Sequence, residues 1–286
     1  MDRPSYIEDH ISQIPALQLL IKMGYQYLSP DEALSLRGGR TSNVLLETVL
    51  KKQLEKINSI QYKDKEFSFS DSNISTAIIA LRELPIQDGF IMANQAFFDL
   101  ITLGKSLEQT ILNDKKSFSF RYIDWENPEN NIYHITEEYS VLRSDRADHY
   151  RPDIVLFING IPMVIIECKS PKIKEPVEKA IEQHLRNQQE DGVRSLYLYS
   201  NLTFALASNE AKYGTTATSK EFWGVWKEMF RTKEEERLWE SEINILKHKA
   251  LPDNERTVLF KERFRKVRSF TVKGLPHPES SIGIVN

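Results

Sequence analysis

The run Arg151-Pro-Asp-Ile-Val-Leu-Phe-Ile-Asn-Gly-Ile-Pro-Met-Val-Ile-Ile-Glu-Cys-Lys169 constrains this chain more than any other segment. Two apolar stretches flank Asn159-Gly160, a dipeptide suited to the left-handed backbone of a tight hairpin turn. Strands this apolar belong inside a sheet. Three charged residues, Asp153, Glu167 and Lys169, nevertheless sit at the end away from the turn. Desolvating carboxylates and an ammonium costs several kcal/mol unless they are paired or bind a metal, so their placement calls for a chemical reason.

Register decides whether those groups meet. A two-residue turn pairs 158 with 161, hence 153 with 166, and sets Asp153 and Glu167 on opposite faces. A three-residue loop, Ile158-Asn159-Gly160 with Gly160 left-handed in a bulge, pairs 157 with 161 and therefore 153 with 165. Asp153 and Glu167 are then diagonal neighbours on one face, ~7 Å apart at Cβ, and Lys169 lies two residues further along it. We expect this second arrangement. It suits two carboxylates gripping one Mg²⁺ at ~2.1 Å, with waters completing the octahedron and Mn²⁺ as a substitute. A cation so held polarises a phosphodiester oxygen and acidifies a bound water, while the Lys169 ammonium offsets charge developing on the phosphate. Spacing alone also fits an ion-pair cluster at a sheet edge. Cys168 alternates to the opposite, apolar face, and its backbone carbonyl is a further candidate metal ligand.

The rest of the chain frames that hairpin. Residues 1–115 read as a mainly helical part packing on the core, with helices over 5–27, bent at Pro15, from Ser42 onward, over 73–83 and over 91–113. From Ser117 the apolar period changes to two through Phe118, Phe120 and Tyr122, then Tyr133, Ile135, Tyr139 and Val141, so residues 116–215 read as a core sheet. A helix over 175–190 and a strand over 195–208 complete an α/β domain. Residues 216–273 read as a helical extension carrying Trp223 and Trp226, and 274–286 as a tail or linker.

Composition excludes several classes of protein. With 40% apolar and 28% charged residues the chain is neither disordered nor fibrous. One cysteine rules out a disulfide framework and a Cys-rich zinc site. The six histidines show no metal-ligand spacing and read as surface or capping residues. No apolar run approaches the ~20 residues needed to span a bilayer, so a cytoplasmic protein without a membrane partner is expected. The net charge of −3 provides no overall basic field. A polyanion must therefore meet a local patch, and Arg263, Arg265, Lys266 and Arg268, within the basic stretch 256–273, are the candidate DNA-backbone contacts.

Asp153, thirteen intervening residues and Glu167-Cys168-Lys169 resemble the Asp…Glu-x-Lys motif of the PD-(D/E)xK nuclease superfamily, here with Pro152 before the Asp. The run from Arg151 to Pro171 is similar to the nuclease segment of the restriction (R) subunit of type I restriction-modification enzymes. Asp124-Trp-Glu-Asn-Pro-Glu-Asn-Asn131, Tyr213-Gly-Thr215 and Trp226-Lys227 resemble flanking blocks of that family, so the likeness covers roughly residues 5–230. It implies a restriction-endonuclease-like core with a central mixed sheet flanked by helices. It further implies Mg²⁺-dependent cleavage of double-stranded DNA and assembly with modification and specificity subunits.

The family also joins this region to an ATP-driven translocase. The 286 residues hold no Gly-x-x-x-x-Gly-Lys-Ser/Thr loop. The expectation is a nuclease part lacking the motor, with ATP relevant only to a longer chain. A Gln-x-x-x-Tyr motif of the family implies a catalytic amide at Gln183, but Asn187 stands where the Tyr belongs. Glu8 is either a further metal-site carboxylate or an ordinary first-turn glutamate. A catalytically silent DNA-binding or assembly domain on the same fold is the rival reading.

Overall fold

The computed structural model describes residues 12–144, 148–207, 210–226 and 233. Its first half comprises α1 (Ile14–Lys22), β1 (Gln26–Leu28), α2 (Pro30–Leu36), α3 (Glu47–Ile57), β2 (Ser59–Tyr62), β3 (Lys65–Ser68), α4 (Asp71–Arg82), α5 (Phe90–Leu103), β4 (Lys105–Ile111) and β5 (Asp114–Phe120). The second half comprises β6 (Tyr133–Glu137), β7 (Val141–Leu142), β8 (His149–Tyr150), β9 (Ile154–Ile158), β10 (Ile161–Lys169), α6 (Pro176–Asn187), α7 (Arg194–Tyr197), β11 (Leu202–Ala207), β12 (Glu210–Gly214) and β13 (Gly224–Val225).

Among the described residues one mixed sheet of seven strands organises the fold, in the order β1-β6-β9-β10-β11-β12-β13. β1 runs parallel to β6 and β11 parallel to β10, and the remaining neighbours are antiparallel. The hairpin β9–β10 takes the middle because its side chains are apolar on both faces: every residue from Ile154 to Cys168 within the two strands is buried. α6 crosses over from β10 to the parallel β11 and packs on both. Pro176 opens it, and Val177, Ala180, Ile181 and His184 form its buried stripe.

Asn159 and Gly160 turn the hairpin with φ of +52° and +84°. The turn is clamped from outside. Asn159 is fully buried and accepts from the Ile132 amide (2.9 Å) and the Gln53 side chain (3.2 Å) while donating to Tyr122 O (3.0 Å) and Asn131 Oδ1 (2.7 Å). Asp124 accepts from Asn127 N and Asn130, which orders the loop that delivers Asn131. The 124–131 block is thus the polar socket of the hairpin turn, at the end away from the charged residues.

The secondary structure differs from the expected one at several places. Pro15 lies in the first turn of α1 rather than at a bend, and Gln26–Leu28 is an edge strand instead of helix. The second helix begins at Glu47, leaving Val44 and Leu45 buried in the connection before it. The 91–113 helix stops at Leu103 because Gly104, at φ +73°, lies against the Phe120 carbonyl where a Cβ would come within 2.5 Å. Lys105–Ile111 then alternates as strand β4, paired with β5 over its whole length. Residues 194–197 are a helical turn ahead of a shorter strand. The sheet also outruns 116–215: β1 joins one edge, and β13, expected as helix, joins the other. His134 and His184 are buried rather than superficial.

Candidate active site

The hairpin brings Asp153 and Glu167 to one face by a route other than the expected loop. Its turn has two residues, with Ile161 paired to Ile158 and Pro162 to Phe157, which uninterrupted would set the carboxylates on opposite faces. A bulge between Pro162 and Val164 corrects this, and the Asn201 amide donates to the Met163 carbonyl there (2.9 Å). Beyond it Val164 pairs with Leu156 and Ile166 with Ile154. Continued by one residue, the ladder sets Asp153 directly opposite Glu167, not diagonal to it as expected.

Five side chains and two backbone groups converge there. Glu167 is fully buried. Its Oε1 accepts from the Tyr150 hydroxyl and its Oε2 from Gln183 Nε2 at 2.7 Å. Asp153 Oδ2 accepts from the Cys168 amide at 2.6 Å and lies 4.0 Å from Lys169 Nζ. Lys169 Nζ donates to the Cys168 carbonyl at 2.8 Å, which joins that carbonyl to the cluster, while the Cys168 side chain is buried in the core. The backbone is anchored as well: Asp153 O accepts from Gln13 Nε2 (3.0 Å) and Glu138 N (3.2 Å), and Lys169 O from Ser12 Oγ (3.1 Å).

A second layer lies behind α6. His184 is fully buried with Nε2 3.0 Å from the Phe204 carbonyl and Nδ1 2.8 Å from the Tyr197 hydroxyl. A carbonyl only accepts, so Nε2 carries the proton and Tyr197 donates to Nδ1. Burial pushes the His184 pKa down to about 4, against the Phe204 bond and with help from the Lys169 charge. Burial, then the Glu167 and Asp153 charges, hold the Tyr197 hydroxyl protonated. Both groups are therefore neutral supports at ordinary pH. Asn187 is also fully buried, and its carbonyl accepts from Val193 N (2.8 Å).

The donor set fits a hard divalent cation. Two carboxylates on one face and an adjacent carbonyl offer oxygen only, the preference of Mg²⁺ and Mn²⁺, and such ions keep waters in their remaining positions. Among the described residues no cluster of three or more His, Cys, Asp or Glu side chains able to hold a metal occurs. Glu8, Arg263, Arg265, Lys266 and Arg268 lie outside the described residues. Sequence reasoning missed Tyr150, Ser12 and Gln13. Tyr150 stands only three residues before Asp153, yet a tyrosine reads as core until its hydroxyl is seen to meet a carboxylate.

A central mixed sheet flanked by helices, with paired carboxylates and a lysine at the open end of its middle hairpin, defines an α/β protein of nuclease-like fold. Residues 5–222 match the family described as Type I restriction enzyme R protein N terminus, and the chain belongs to that family. It is 24% identical over 237 residues to the "Type I restriction enzyme HindI endonuclease subunit" of Haemophilus influenzae, covering 81% of this chain and 21% of that protein. Two Methanocaldococcus jannaschii proteins are also similar. "Putative type I restriction enzyme MjaIXP endonuclease subunit" is 27% identical over 77% of this chain and 20% of its own length. "Putative type I restriction enzyme MjaVIIIP endonuclease subunit" is 30% identical over 87% of this chain and 22% of its own length. The chain thus spans about a fifth of the length of these relatives. Among the described residues no helix is long and apolar enough to cross a membrane.

Proposed function

We propose that this chain is a Mg²⁺-dependent DNA endonuclease domain that hydrolyses phosphodiesters of double-stranded DNA within a type I restriction assembly. The observation that carries the reading is the register: Ile154 pairs with Ile166, which carries Asp153 and Glu167 to one face, with Lys169 Nζ 4.0 Å from Asp153. Asp153, Glu167 and the Cys168 carbonyl would hold the cation, which when bound supplies Lewis acidity and an acidified water. Lys169 orients the attacking water or offsets charge on the phosphate, turning from the Cys168 carbonyl to do so. Gln183 fixes the Glu167 carboxylate. Modification and specificity subunits are the protein partners in this reading, and ATP has no role in the chemistry of the site.

Plasmid nicking with and without Mg²⁺ tests it. The parent chain is expected to nick only with the metal, and Lys169→Ala to lower the rate by on the order of 100-fold or more while melting as the parent does. Metal-independent nicking, or an unaffected K169A variant, would remove the proposal. A folded parent that binds DNA but never nicks would favour the silent assembly domain, in which Asp153 and Lys169 serve as a structural ion pair.

A further inference from the structure

Glu167 is the one carboxylate of the cluster that is fully buried, and its two described donors come from outside the hairpin. The Tyr150 hydroxyl reaches Oε1 from β8, a two-residue strand paired with β7 rather than with the main sheet. Gln183 Nε2 reaches Oε2 from α6. A carboxylate oxygen accepts in the plane of its group, so a donor on each of the two oxygens fixes that plane. Burying a carboxylate is costly without such donors. Tyr150 is itself buried, so its ring is held by packing and its hydroxyl is kept in place at little entropic cost.

We propose that Tyr150 is a positioning residue that, as the second arm of a clamp with Gln183, holds the Glu167 carboxylate in the orientation that receives the divalent cation. This deepens the nuclease reading and rests on it. Outer partners of ligating carboxylates set ligand orientation, and losing one weakens metal affinity or activity by ~10–100-fold.

Tyr150→Phe removes one oxygen and keeps the ring. The experiment is calorimetric titration of Mn²⁺ into the DNA-free chain, for the parent, Y150F and Asp153→Asn, paired with nicking across a Mg²⁺ series. Y150F is expected to bind Mn²⁺ at least ~10-fold more weakly and to shift its Mg²⁺ requirement upward by a like factor, with much of the rate recovered at saturating metal. The DNA concentration giving half-maximal rate should stay put. Unchanged Mn²⁺ affinity in Y150F, where the parent binds Mn²⁺ and D153N does not, would overturn the clamp and leave the nuclease reading standing. A parent that takes up no Mn²⁺ would overturn both. Should Y150F not hold the parent's circular dichroism, Y150F combined with Glu167→Gln decides: recovery of the fold shows that the hydroxyl serves the Glu167 charge, and failure to recover assigns Tyr150 to packing and overturns the proposal.

Discussion

Protonating His184 would bury a cation between the Tyr197 hydroxyl and the Phe204 carbonyl, neither of which is an acidic partner for its ring. With a folded pKa of about 4, below the unfolded ~6.5, the unfolded chain binds more protons between those values. Stability is therefore complete above pH ~6.5 and falls as the pH drops towards 4, by ~3 kcal/mol in all at ~1.4 kcal/mol per pH unit. Urea midpoints measured from about pH 7.5 to 4.5 check this, and His184→Gln should flatten the slope over that window. At this scale the candidate cluster was legible where charge broke an apolar pattern: Asp153, Glu167 and Lys169 betray themselves because burial penalises them. Tyr150 and His184 do not, since a ring at an apolar position breaks no pattern and its polar edge acquires meaning from neighbours met across the fold.

Elements were legible where one period ran unbroken. The β9–β10 hairpin and α6 stand close to where their patterns put them, whereas β4 was absorbed into the helix before it. The reason is local: Phe97 to Leu103 supplies a strong helical stripe, and the alternation of Leu107 and Ile111 only shows once Gly104 is recognised as a stop. The hairpin's register needed more than its own residues, because the offset arises at Met163, beside the start of β11, and not in the turn. The turn itself makes a sharp prediction. Gly160 sits at φ +84°, and a Cβ there would come within 2.7 Å of Leu46 O and 3.0 Å of Leu50 N, both backbone atoms at the start of α3. Gly160→Ala should cost ~2 kcal/mol or more, combining a disfavoured dihedral with that collision. Chemical denaturation should show a lower midpoint with an unchanged denaturant slope.

Across the whole molecule, the proposed binding to DNA would work against a net charge of −3. The dense positive stretch 256–273 is the proposed electrostatic footing on the DNA backbone, and neutralising one phosphate fewer should flatten the logarithmic salt dependence of binding by ~0.9. Replacing Arg263, Arg265, Lys266 and Arg268 with Ser is therefore expected to weaken binding to all DNA sequences alike and to reduce that slope by as much as ~3.6. Fluorescence anisotropy over a salt series measures it, and an unchanged slope would remove this segment from the DNA path. The bonds from Ser12 to Lys169 and from Gln13 to Asp153 reach across 157 and 140 residues of chain. Bonds so distant in sequence repay their loop-closure entropy only after the intervening structure exists. A ribosome delivers Ser12 and Gln13 first and their acceptors far later, so the candidate site's backbone is locked at the close of folding, and a nascent chain carries no finished site while its sheet is still being built.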